Sequence, residues 1–155
     1  FDEARRQPCH FARSDRLGSF TLRGTLGYVR GENRDTDDDL HNIMPLHGKV
    51  ALVHELGGFR SAVELSTVSS KTRTSSVRNE MQTGHYSLVD LRSSYAFEHA
   101  RVDVSIENLF DRFYSLPLGG AYLGQGLSMS SFTIPWGTPV PGAGRSINVA
   151  FSVDF

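Results

Sequence analysis

The chain has 155 residues, a formal net charge of −1 and 39% hydrophobic residues. That length suits one domain with a sizeable core, and the near-neutral charge without a basic cluster argues against a nucleic-acid partner. The single cysteine, Cys9, excludes an intrachain disulfide framework, and no apolar run approaches the ~18 residues of a membrane helix.

The opening segment 1–17, FDEARRQPCHFARSDRL, is charged and carries Pro8 in its middle. It reads as a partial strand or an irregular lead-in. Cys9 and His10 invite a metal reading, but adjacent residues of an extended chain point to opposite sides and chelate poorly. From Gly18 to Arg30 the pattern alternates. Phe20, Leu22, Leu26 and Tyr28 share one face with Gly24, and Thr21, Arg23 and Thr25 take the other. An acidic connection follows. Its Asp35, Asp37, Asp38 and Asp39 lack the frame and distal Glu of a calcium loop, so they read as solvated.

The next strand, 46–56, puts Leu46, Val50, Leu52 and Leu56 against His47, Lys49, Ala51, Val53 and Glu55, with His54 breaking the apolar row. Gly57-Gly58 is the permissive pair for a two-residue hairpin turn. Phe59 to Val68 continues the alternation, and a long hydrophilic stretch leads to a strand over 86–97. Glu98-His99 turns the chain into a strand from Val102. There Val102, Val104, Ile106 and Phe110 oppose Arg101, Asp103, Ser105 and Glu107. Asp103 and Glu107 are expected to pair with Arg101 and Arg92 across one strand face. The last strand sets Ile147, Val149, Phe151, Val153 and Phe155 against Ser146, Asn148, Ala150, Ser152 and Asp154.

No helical period appears. The expectation is an all-β antiparallel meander of about six strands, each near the ~10 residues a tilted strand needs to cross a bilayer. The connections alternate long (31–45), short (57–58), long (69–85), short (98–100) and long (112–144). Short turns then gather at one end and long loops at the other, as in outer-membrane barrels. Aromatic residues near the strand ends suit interfacial girdles. Membrane barrels close with at least eight strands, and open edges are costly in hydrocarbon. The membrane reading therefore expects further strands upstream, and the absence of an initiator Met and signal peptide agrees.

The segment Ile106-Glu-Asn-Leu-Phe-Asp-Arg-Phe-Tyr114 resembles the NLFD-x-x-Y segment of TonB-dependent outer-membrane receptors. Gly144 to Phe155 resembles their final strand, which ends on Phe. Asn42 to His47 and Val77 to Glu80 also match such receptors. The resemblance identifies residues 18–155 as the C-terminal part of a 22-stranded barrel in the outer membrane of a Gram-negative bacterium, without the plug domain. It implies uptake of siderophore-iron, another metal or another scarce nutrient. The partners it implies are outer-membrane lipid, TonB-ExbB-ExbD acting through the missing N-terminal part, the barrel-assembly machinery and a small-molecule or metal-chelate ligand. Leu116 to Gly126, with Pro135-Trp-Gly137 and Pro141-Gly142, is similar to the last loop of some receptors assigned to copper.

Within this resemblance, Asn108, Leu109, Phe110, Asp111 and Tyr114 carry the family motif, and Phe155 is the assembly signal. Asn108 and Asp111 are expected to tie the strand end to the loop. Tyr114, Tyr122 and Trp136, on the longest loop, are the candidates to line a ligand vestibule. Loop packing is the competing reading. His41, Met44 and His47 are soft-metal candidates, although their spacing suits a helical turn and Pro45 intervenes. No nucleophile-elbow frame or other catalytic set emerges, so an enzyme is not expected, and no cofactor is called for. The alternative reading is a small stand-alone β-barrel with a binding or structural role, soluble or oligomeric in the outer membrane.

Overall fold

The computed structural model describes residues 4–33, 35, 38–122 and 138–153. It is built of β1 (Ala4–Leu17), β2 (Phe20–Asn33), β3 (Asp38–Asp39), β4 (His47–Leu56), β5 (Phe59–Val68), β6 (Tyr86–Ala96), β7 (Ala100–Glu107), β8 (Ala121–Tyr122), β9 (Thr138–Pro139) and β10 (Ser146–Val153). One antiparallel sheet runs in the order β1-β2-β4-β5-β6-β7-β10, with the short β3 attached to β2 and a small β8-β9 pair apart.

Seven long strands stand where the alternating pattern predicts six. The additional one is β1, which pairs with β2 along its whole length from Ala4↔Asn33 to Leu17↔Phe20. The lead-in is thus a strand of 14 residues. Its apolar alternation is absent because Arg13 and Asp15 occupy the positions where the other strands carry aliphatic side chains.

The register joins the strands' alternating patterns into two continuous faces. Leu22, Leu52, Val63, Leu91, Ile106 and Ile147 lie in one row across six strands. On the opposite face Arg23, Ala51, Glu64 and Asp90 lie in another. A slip of one residue in any strand would exchange its two faces, so burial of either face fixes the register. Along the polar face Lys49 bonds Glu64 at 3.0 Å, Arg60 lies 3.2 Å from Glu55 and Arg101 lies 2.6 Å from Asp103. Solvated pairs of this kind contribute little to stability, typically ~0.2–1 kcal/mol.

The sheet buries neither face within itself. Its accessible surface is 11394 Å² for 17.2 kDa, whereas a compact globular monomer of that mass exposes about 7,800 Å². Among the described residues, Val53 and Val68 are the buried aliphatic side chains. Leu22, Leu52, Val63 and Leu65 remain between 44% and 49% exposed. This wall separates an apolar side from a polar one and has no core of its own.

The turns at 18–19, 57–58 and 97–99 fall at one end of the sheet, and β2, β5 and β7 run to the other, where the long connections begin. Gly57 and Gly58 both have positive φ, 52° and 74°, as the two-residue turn whose twist matches a hairpin requires. A Cβ on Gly58 would sit 2.9 Å from the Ala96 carbonyl oxygen. Gly58→Ala is therefore expected to cost more than about 1 kcal/mol, while Gly57→Asn, which tolerates positive φ and meets open space, costs less. Thermal unfolding midpoints of the two variants decide it: equal midpoints would overturn this account of the turn.

Candidate binding surface at the loop end

The three long connections are held together by two carboxylates. Asp38 accepts from the Ser75 hydroxyl at 2.7 Å, the Ser76 amide at 3.0 Å and hydroxyl at 3.1 Å, and the Val77 amide at 3.3 Å. These donors, the Ser75 hydroxyl first, hold its pKa well below the usual carboxylate range. The connection after β2 is thereby fastened to the connection after β5.

Glu80 does the same at greater depth. Its Oε1 accepts from Lys71 Nζ at 2.6 Å and the Asn42 amide at 2.8 Å, and its Oε2 accepts from the Ser75 amide at 3.0 Å. Burial pushes the Glu80 pKa up, but Lys71 and the two amides outweigh it and leave the pKa lowered. Lys71 is 2% exposed and also donates to the Pro117 carbonyl at 2.8 Å. One ammonium–carboxylate pair thus touches all three long loops. Removing either partner would strand a buried charge, the costly way to break such a pair.

The end of β7 is fixed by Asn108 and Asp111, both at φ 50°, a conformation Asn and Asp tolerate better than most residues. The Asn108 side chain is buried. Its amide donates to the carbonyls of Arg112 at 2.9 Å and Ala143 at 3.1 Å, and its oxygen accepts from the Arg112 amide at 2.9 Å. The Asp111 carboxylate accepts from the Arg145 amide at 2.8 Å, next to the first residue of β10. These side chains close the loop stem. Leu109 continues the ladder with its amide on the Val89 carbonyl, and Phe110 is 68% exposed.

Tyr114 is packed. Its ring lies 4.5 Å from that of Tyr86 and covers Gly142, where a Cβ would meet ring atoms at 2.0 Å. The backbone of Tyr122 pairs with Thr138. Trp136 and Phe155 lie outside the described residues. His41, Met44 and His47 occupy separate settings. His41 Nδ1 is 3.4 Å from Glu80. His47 donates from Nδ1 to the Pro45 carbonyl at 2.9 Å, with its ring over Gly27. Met44 lines a cleft of about 240 Å³ with Tyr28, Arg30, Leu46 and Arg73. Among the described residues no three His, Cys, Asp or Glu side chains come together as a metal site. A larger trough of about 650 Å³ runs along the polar face between Arg23, Lys49, Glu64, Arg101 and Asp103. The Asp38 and Lys71–Glu80 ties join residues far apart in sequence inside polar loops, and no periodicity marks them beforehand.

An antiparallel wall with one apolar and one polar face, short turns at one end and tied long loops at the other, is the fold of an outer-membrane β-barrel. No family model matches the chain, and no curated protein matches it. Among solved structures it is similar to the copper transporter OprC, with a TM-score of 0.85 and 23% identity over 98% of this chain. The chain spans 24% of that transporter's length, so the likeness bears on the fold of this part of the wall.

Two outcomes are expected. Gly142→Ala drives a methyl into the Tyr114 ring and should cost about 1–3 kcal/mol. Gly84→Ala, which meets nothing within 4 Å, should be near neutral. Denaturant midpoints compare them, and equal effects would refute the Tyr114 seat. Because the Asp38 pKa is depressed, its contribution is complete above the ordinary Asp range and is lost as pH falls through the depressed value. Amide exchange at Ser76 and Val77, corrected for intrinsic rates, should stay constant from pH 7 to about 4 and rise only below. A rise already near pH 6 would contradict it.

Proposed function

We propose that this chain forms part of the wall and cell-surface loops of an outer-membrane uptake receptor of the TonB-dependent type, carrying a metal or metal chelate inward. The observation that carries this reading is the division of one sheet into an apolar and a polar face, with all long loops at a single end. The likeness to the copper transporter OprC supports copper as the first cargo to test, with siderophore-iron next. Soft donors such as Met44 and His41 at the loop end suit a copper ion, although in the present arrangement they do not share a site.

In this reading lipid covers the row of Leu22, Leu52 and Val63. The polar trough faces the interior of the barrel. The edges of β1 and β10 pair with further strands, since unpaired backbone groups in hydrocarbon cost several kcal/mol each. Transport draws on TonB-ExbB-ExbD, and insertion on the barrel-assembly machinery through the C-terminal strand and Phe155. The role is transport and not catalysis.

Deleting the gene and following radioactive copper and ferric-siderophore accumulation under metal limitation tests the cargo. Loss of copper uptake, restored by the intact gene, is the expected result. Unchanged uptake of both metals, together with protein in the soluble fraction, would refute the receptor reading and favour a stand-alone β-barrel.

A further inference from the structure

A row of polar side chains crosses the apolar face near the short turns. His54, Ser61 and Ser93 stand side by side on β4, β5 and β6, all three half-buried. Among the described residues none of them makes a side-chain hydrogen bond. The other charged, serine and threonine side chains described on this face of the long strands satisfy one another. Arg13 bonds Asp15 at 2.7 Å, Arg30 bonds Glu32, and Ser87 bonds Thr67 at 3.0 Å. The unpaired row also has a shape. Leu52, Val63 and Leu91 flank it on the loop side, and Leu56, Phe59 and Tyr95 on the turn side. Two serines between these bulkier ridges leave a notch, and His54 closes one end of it with its ring 4.6 Å from that of Phe20.

We propose that this notch seats the ester and phosphate region of one phospholipid from the inner leaflet of the outer membrane. The proposal rests on the membrane reading given above. Short turns mark the periplasmic side of such barrels, so the leaflet beside the notch is the inner one. Rows on one face lie two residues apart, and with a tilt of 35–45° that is ~5 Å of depth. The notch therefore sits ~5 Å inside the row of Phe59 and Tyr95, rings of the kind that settle at the interface.

The chemistry of the row selects the occupant. Each of the three side chains offers an O–H or N–H donor. Hydrocarbon accepts nothing from them, and an unpaired polar group against it is costly. Leu56, Phe59 and Tyr95 stand between the notch and the periplasmic water. What a phospholipid presents just beneath the interface is acceptors, its ester carbonyls and phosphate oxygens. Neighbouring strands are ~4.8 Å apart, so the three donors spread over ~10 Å, within reach of one lipid's oxygens. From that seat the acyl chains run over Leu52, Val63 and Leu91 toward mid-membrane. Ser87 and Thr67, at the loop end of the same face, bond each other and need no such neighbour.

The test uses the full protein, extracted from its native membranes in mild detergent, stripped of lipid and titrated with phosphatidylethanolamine. Native mass spectrometry reads the affinity of the tightest lipid. Ser61→Val with Ser93→Val removes both hydroxyls, and Ser61→Thr with Ser93→Thr adds the same bulk while keeping them. The valine variant should bind more than about tenfold more weakly than the threonine variant. Equal affinity in the two would overturn the proposal. If a variant fails to accumulate, the wild type itself gives a second measurement. Phosphatidylethanolamine carrying a photoreactive group beside its ester should label β4 to β6 around residues 52–63 and 91–95. Labelling confined to other strands, or a co-purifying polypeptide that shields this stretch, sinks the lipid seat alone. Protein found only in the soluble fraction sinks the membrane reading together with it.

Discussion

Side-chain alternation, held in common register across seven strands by backbone hydrogen bonds, is the constraint on which the rest of this structure depends. A strand sends successive side chains to opposite sides, so each strand offers two faces. Register decides whether those faces add up. Here Leu22, Leu52, Val63, Leu91, Ile106 and Ile147 align, and a sheet too thin to contain a core acquires two surfaces with different solvent preferences. The backbone ladders supply cohesion, and the two environments supply the reason for the register. The polar-face ion pairs add little beyond compatibility with water.

The loop end obeys a different logic. Long connections lose much conformational entropy when ordered, and an apolar cluster at the mouth of a barrel would face water. The ordering here comes from groups that water solvates less well once they are buried. Asp38 gathers four donors from Ser75, Ser76 and Val77, and Glu80 joins Lys71, Asn42 and Ser75. The bonds Asp38–Ser75, Glu80–Asn42 and Lys71–Pro117 cross between connections, so the loops hold one another. The buried Lys71–Glu80 pair is worth less as stabilisation than as specification. Alternative loop packings would leave its charges unpaired, which is the expensive outcome. With Tyr114 seated against Gly142 and Asn108 closing the β7 stem, the motif read as a family mark works as a clasp that fixes where the longest loop begins and ends.

Legibility in the sequence followed the length scale of the interaction. The strands β2, β4, β5, β6, β7 and β10 are legible because their two-residue period lies in consecutive residues, and the Gly57-Gly58 turn because its backbone demand falls on two adjacent glycines. The exchange between Asn108 and Arg112 is local as well, four residues apart, whereas Asn108 to Ala143 and Asp111 to Arg145 reach 35 and 34 residues along the chain. Strand β1 is not legible by this route, since Arg13 and Asp15 replace the aliphatic residues that would mark it. The ties through Asp38, Lys71 and Glu80 join residues up to 46 apart within segments that look uniformly polar. Nothing in a one-dimensional pattern separates Asp38, which organises a loop, from Asp35 beside it. The spacing of His41, Met44 and His47 likewise says little, because Pro45 and the start of β4 send them to separate settings.

The same reasoning turns the failure at β1 into information. A two-faced wall is legible wherever each face keeps to one kind of side chain along the whole strand. The polar face would accept Arg13 and Asp15, but the register with β2 sends them to the apolar side. Asp15 lies close to the turn at Gly18, and in the next row toward that turn the apolar face carries His54, Ser61 and Ser93. The apolar pattern therefore thins at the short-turn end, where the ladder alone holds a strand: β1 keeps its pairs with β2 along its whole length while its side chains no longer announce it.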